Sequence, residues 1–239
     1  DKTGLLDDLN GFVEKWNDSL DTTVRNGSGF FCEPFTLKEL NKLAFWSATG
    51  SGKTLMMHVN ILQYKHYLKL FDSEADVNKV ILVTPNEGLS AQHLDEFELS
   101  GLEAEYFSKR AGSMFSGKKV EIIEISKLAE ESGEKTVSIE SFETNNLVLI
   151  DEGHRGVAGE QWKDRRDYLS LTGFAFEYSA TFGQAVTAAS GALRGTLTQE
   201  YSKSILMDYS YKYFYLDGYG KDYNILNVPS TDHALFTRK

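Results

Sequence analysis

Between an apolar run, Leu43-Ala44-Phe45-Trp46, and a helical pattern that opens at Lys53, the chain places Ser47-Ala48-Thr49-Gly50-Ser51-Gly52-Lys53-Thr54. Strand, glycine-containing loop, helix: this order leaves few folds open. It is the context in which a backbone curls so that N–H groups point at phosphate oxygens, with the positive end of a helix behind them. In that reading Thr49, Gly50, Ser51, Gly52, Lys53 and Thr54 bind the phosphates of ATP. Lys53 reaches the β and γ phosphates, and the Thr54 hydroxyl ligates Mg2+. One position departs from the strict pattern: Ser47 stands where a first glycine is usual.

The rest of the chain fits a sheet that could carry such a loop. Lys79–Thr84 (KVILVT), Val120–Ile125 (VEIIEI), Leu147–Ile150 (LVLI) and Phe174–Tyr178 are short apolar runs, as expected of parallel strands buried on both faces. Helical patterns alternate with them: one from Lys53 to about Phe71, with Leu55, Val59, Leu62, Tyr67 and Leu70 as inward residues, and one over Gly88–Phe97. A short helix is expected around Thr36–Lys42, and 130–143 is read as polar loop. Residues 5–20 form an amphipathic helix, and Asn26–Gly29 a loop. Alternating Tyr209, Tyr211, Tyr213 and Tyr215, with Tyr219 and Tyr223 beyond, read as a strand with one aromatic face: an edge strand, or a platform on which bases stack. The expected fold class is α/β, a mostly parallel sheet flanked by helices, with an N-terminal helical extension.

The strand LVLI runs into Asp151-Glu152-Gly153-His154. An acidic pair at a strand end suits Mg2+ chemistry: Asp151 holds the ion, directly or through water, and Glu152 orients and polarises the attacking water. Lys53 and Glu152 are the expected catalytic pair. Ser179-Ala180-Thr181 follows the Phe174–Tyr178 strand.

Together the loop ATGSGKT, the box DEGH and the triplet SAT resemble the first, second and third motifs of the superfamily 2 helicases and translocases. Thr84-Pro85-Asn86 resembles their motif Ia. FWSATGSGKT, DEGHRG and FEYSATFGQA are most similar to the ATPase subunits of type III restriction enzymes and related DEAD/DEAH-box proteins. The resemblance covers roughly residues 43–195. It implies a RecA-like P-loop NTPase domain within 36–204. Residues 1–35 then form the extension, and the Tyr-rich 205–239 leads toward a second RecA-like domain that supplies arginines to the transition state. It also implies that His154, Ser179 and Thr181 couple nucleotide state to nucleic-acid grip, and that Thr84, Pro85 and Asn86 contact the phosphodiester backbone. The box has Gly153 where DEAD and DEAH boxes have Ala, and no adenine-reading glutamine motif stands in 35–45.

The implied activity is an ATP-hydrolysing motor acting on nucleic acid, DNA before RNA, in a restriction or defence system. A modification or specificity subunit is the implied partner. An RNA-directed helicase and a non-catalytic nucleotide switch are the alternatives. The chain starts at Asp1 and is expected to be a piece of a longer protein, nearly inactive alone. A net charge of −10 repels nucleic acid, so binding has to rest on local sites. Lys109, Arg110, Lys118 and Lys119, and then Lys163, Arg165 and Arg166, are basic groups that either touch phosphates or form solvated faces. A single cysteine, Cys32, is read as a small core residue and fits a reducing, cytoplasmic setting. The histidines and Cys32 lack zinc spacing, and no apolar run is long enough to span a membrane.

Overall fold

Strands with unbroken apolar runs bury both faces, and two strands that carry such runs, over 80–83 and 147–150, form the centre of this protein. The computed structural model describes residues 2–20, 30–108, 119–129, 136–152 and 160–221. In chain order the elements are α1 (Lys2–Ser19), β1 (Lys42–Ser47), α2 (Lys53–Leu70), β2 (Val80–Thr84), α3 (Glu87–Leu99), β3 (Ala104–Tyr106) and β4 (Val120–Glu124). Next come β5 (Leu128–Ala129), β6 (Val137–Ser138), β7 (Leu147–Asp151), α4 (Glu160–Leu169) and β8 (Phe174–Ser179). The chain continues with α5 (Phe182–Ala188), α6 (Gly191–Ser204), β9 (Ile205–Tyr209) and α7 (Tyr211–Leu216). Seven strands form one sheet in the order β3-β4-β2-β7-β8-β1-β9, and every pairing is parallel. β2 and β7 are buried throughout.

Period-2 alternation divides these strands between two cores. Val80, Leu82, Leu147 and Leu149 pack with Met57, Ile61 and Phe97 from α2 and α3. Ile81, Val83, Val148 and Ile150 pack on the other side with Leu169 of α4 and with Leu128, Val137, Ile139 and Phe142. A third cluster sets Phe182, Leu197 and Tyr201 of α5 and α6 against Ala44.

The α/β expectation holds, with five corrections. α2 spans the expected residues but turns the other way: Leu55, Val59, Leu62, Tyr67 and Leu70 are all exposed, while Met57, His58, Asn60 and Ile61 are buried. The polar members of the buried face have partners, His58 Nδ1 with Ser100 Oγ at 2.7 Å and Asn60 Nδ2 donating to the Tyr178 hydroxyl at 2.8 Å. The tyrosine alternation is not one strand: Tyr209 ends β9, and Tyr211, Tyr213 and Tyr215 lie on α7. Ile205–Tyr209, read as the start of a connector, is a strand of the main sheet, parallel to β1. Part of 130–143 is core: Ile139 and Phe142 are buried in a 3-10 turn. The short helix before β1 is likewise a 3-10 turn, Leu37–Asn41.

The basic group on α4 is the fifth correction. Arg166 is 1% exposed, so it forms neither a solvated face nor a phosphate contact. Its guanidinium pairs with Glu177 (3.1 Å), Glu200 (2.9 Å) and Asp167 (3.2 Å), and Lys42 joins Glu177 at 3.1 Å. Burial alone would depress the pKa of both cations, but the facing carboxylates outweigh it and both are raised. The other basic group is described at Lys119, which pairs with Glu105 at 3.2 Å.

α1 is fastened by side-chain amides. Asn17 donates to the Cys32 carbonyl (2.8 Å) and accepts from its N–H (3.0 Å), and Asn10 does the same at Phe35. Cys32 is buried, as expected. Among the described residues no helix is long and apolar enough to cross a membrane, and no group of three or more His, Cys, Asp or Glu side chains is gathered as a metal site. The Asn26–Gly29 loop, Lys109, Arg110, Lys118, Tyr223 and the Lys163 side chain lie outside the described residues.

Candidate nucleotide site

Parallel register decides which residues meet. β1 and β8 pair Trp46 with Ser179, β7 and β8 pair Asp151 with Tyr178, and β2 and β4 pair Thr84 with Glu124. The ends of β1, β2, β7 and β8 therefore share one edge of the sheet. In open α/β sheets this carboxyl edge is where ligands bind.

The loop after β1 opens onto that edge. Ala48 N–H donates to the Tyr209 carbonyl at 2.9 Å, which ties the loop to β9, and Ser51 N–H and Oγ both donate to the Ala48 carbonyl. Gly50 and Gly52 have φ of +82° and +92°, and a Cβ on either would meet nothing within 4 Å. Glycine is needed here for backbone conformation, and space remains for a ligand to approach. Gly52 caps α2 without a side chain. The first-turn N–H groups of α2 thus lack a side-chain acceptor, an arrangement that suits an anion. Thr49, Gly50 and Gly52 are exposed, with Ser51, Lys53 and Thr54 partly buried.

Two elements bring charge to this loop. The Lys53 ammonium lies 3.7 Å from Glu152 Oε1 and 3.5 Å from the Ser47 carbonyl. Glu152 has φ of +53°, an uncommon conformation for a non-glycine residue and one that concentrates at functional sites. Asp151 is 9% exposed, and its Oδ2 lies 2.9 Å from His93 Nε2. The Thr54 hydroxyl and the carboxylates of Asp151 and Glu152 are hard oxygen donors, the chemistry that Mg2+ selects. With a lysine and an uncapped helix start beside them, the residues present fit Mg2+ and a polyphosphate.

The triplet after β8 is internally braced. Ser179 Oγ accepts from the Thr181 N–H at 3.0 Å, and Thr181 Oγ1 is buried with no hydrogen-bond partner among the described residues. Trp46 Nε1 donates to the Ala180 carbonyl at 3.0 Å, joining the strand before the loop to the triplet. A Cβ on Gly183 would stand 2.8 Å from that indole, so the contact needs glycine there.

The Thr84 hydroxyl faces inward, bonded to Ser90 Oγ at 2.6 Å, and is fully buried. That side chain cannot reach a nucleic-acid backbone from this position. Asn86 is exposed and caps α3, accepting from the Leu89 N–H at 3.0 Å, with Pro85 half-buried between. His154 lies outside the described residues. Sequence reasoning missed His93 and Trp46, whose partners are distant in the chain and carry no local signal.

The family model described as "Type III restriction enzyme, res subunit" matches residues 10–184, well over half of the chain. No curated protein matches it. Among solved structures it is similar to the Sulfolobus solfataricus SWI2/SNF2 ATPase core in complex with dsDNA, at 12% identity and a TM-score of 0.43 over 81% of this chain and 38% of that one. It is similar to the Pyrococcus furiosus Hef helicase domain at 14% identity and a TM-score of 0.41, over 72% of this chain and 35% of that one. For the UvsW helicase from bacteriophage T4 the values are 14% and 0.45, over 83% and 66%. The chain thus spans less than two-fifths of the first two structures.

Proposed function

The chain belongs to the family of type III restriction enzyme res subunits, and on that premise we propose that it is the ATP-binding half of a motor that hydrolyses ATP when engaged with nucleic acid, DNA rather than RNA. It carries the RecA-like α/β domain of the superfamily 2 helicases. The reading rests above all on the meeting of Lys53 with Glu152, which joins the loop after β1 to the end of β7.

In this mechanism the backbone of Thr49–Gly52 and the start of α2 hold the phosphates. Lys53 leaves Glu152 for the β and γ phosphate oxygens, which have more charge to offer it. Thr54 and Asp151 would hold Mg2+, which would supply charge neutralisation at the phosphates. Glu152, released from Lys53, orients and polarises the attacking water. The triplet Ser179–Thr181 registers the nucleotide through Trp46, which lies on β1 and donates to the Ala180 carbonyl. A second RecA-like domain completes the site with arginines, and a specificity or modification subunit directs the motor to its DNA.

The test is steady-state ATP hydrolysis by the complete motor at fixed salt, with duplex DNA, single-stranded DNA, RNA or no addition. Duplex DNA is expected to stimulate strongly. Stimulation by RNA alone would overturn the DNA assignment, and no stimulation by any nucleic acid would leave a nucleotide switch.

A further inference from the structure

We propose that His93 is a positioning residue for the divalent cation, holding the Asp151 carboxylate in the orientation that ligates it; this rests on the reading that Asp151 is a Mg2+ ligand. His93 sits in the middle of α3 and is 3% exposed. Its Nε2 lies 2.9 Å from Asp151 Oδ2. An ionised carboxylate only accepts, so Nε2 carries the proton and donates. The bond engages one carboxylate oxygen and leaves Oδ1 for the cation.

The imidazole is itself held in place. Nδ1 faces Glu96 Oε2 at 3.7 Å, and Glu96 Oε1 accepts from Gln92 Nε2 at 2.8 Å. Neither Nδ1 nor Glu96 Oε2 has a hydrogen-bond partner among the described residues. Among the described residues, the one polar contact that the ring makes at hydrogen-bond distance is therefore the bond to Asp151. α3 cannot slide to loosen it: Asn86 caps its first turn, and Ser90 is bonded to Thr84 at the end of β2. Carboxylate ligands are commonly fixed in this way by a buried donor, and removing such a donor typically costs about 10–100-fold in metal affinity.

The experiment titrates Mn2+ by electron paramagnetic resonance against the protein bound to a non-hydrolysable ATP analogue. Nucleotide affinity without metal is measured in parallel. His93→Leu is expected to raise the Mn2+ concentration for half-saturation about tenfold or more, leaving metal-free nucleotide affinity unchanged. His93→Gln, which restores an N–H of similar reach, is expected to recover most of the loss. An unshifted half-saturation in His93→Leu overturns the proposal, as does an equal loss in both variants. Asp151→Asn separates the two levels. If it fails to weaken Mn2+ binding, the metal reading falls and takes this inference with it. If it weakens binding while His93→Leu does not, only the inference falls. Should His93→Leu not fold, the wild-type Nε2–H proton resonance decides: it should persist and shift on adding Mg2+ and the analogue, and an unmoved resonance overturns the proposal.

Discussion

The Lys53 ammonium and the Glu152 carboxylate lie 3.7 Å apart, one from the loop after β1 and the other from the end of β7. β1 and β7 end at the same edge of the sheet, and the order β7-β8-β1 sets a single strand, β8, between loop and acid. In the proposed mechanism this pairing gives Glu152 a cation to leave and a place beside the phosphates to act from.

Glu152→Gln keeps the size of the side chain and removes its capacity to polarise water. Nucleotide binding should persist while hydrolysis by the complete motor falls by about 10²–10⁴-fold. Single-turnover hydrolysis beside equilibrium binding checks both halves. Full turnover would remove Glu152 from the chemistry.

Glu177 is fully buried on β8 between Lys42 and Arg166. Glu177→Gln leaves two buried cations to share Glu200 and Asp167, and should cost about 3 kcal/mol in urea unfolding. The cluster also predicts a pH profile. Lys42 is held above its ordinary 10.5, so its contribution is complete below that pH and is lost as pH rises through the higher folded value. Alkaline unfolding should therefore begin at lower pH in Glu177→Gln than in the wild type. Matching urea and alkaline profiles would show that the cluster contributes nothing to stability.

Met57 and Leu55 make a paired test of which way α2 faces. Met57 is fully buried and Leu55 is 67% exposed. Met57→Ala should destabilise by about 3 kcal/mol through lost burial and a cavity, whereas Leu55→Ala should stay within about 0.5 kcal/mol. Thermal or urea unfolding of the two variants side by side reverses the assignment if Leu55→Ala proves the costlier.

The strands were legible because parallel strands buried on both faces are written as unbroken apolar runs, as in 80–83 and 147–150. The phosphate loop was legible because its glycines and lysine act through local backbone. The inward face of α2 was not, because both sides of that helix are apolar. The buried side carries His58 and Asn60, whose acceptance in the core depends on Ser100 and Tyr178. The alternating tyrosines misled because period-2 spacing is a statement about strands only while the chain stays extended, and β9 ends at Tyr209. Arg166 sits in a polar stretch, DRRD, that reads as surface; its burial follows from Glu177 arriving on another element. His93 meets Asp151 only through the docking of α3 on the sheet at β2, the strand beside β7, a relationship no local pattern announces.

Calorimetric titration of Mg·ATP into the wild type and Lys53→Ala tests the central claim, that the loop after β1 and the acids ending β7 form one nucleotide site. Removing a cation that meets phosphate should cost about 3 kcal/mol or more, a weakening of about a hundredfold that takes binding out of the measurable range. Equal affinities in the two proteins would contradict the site itself.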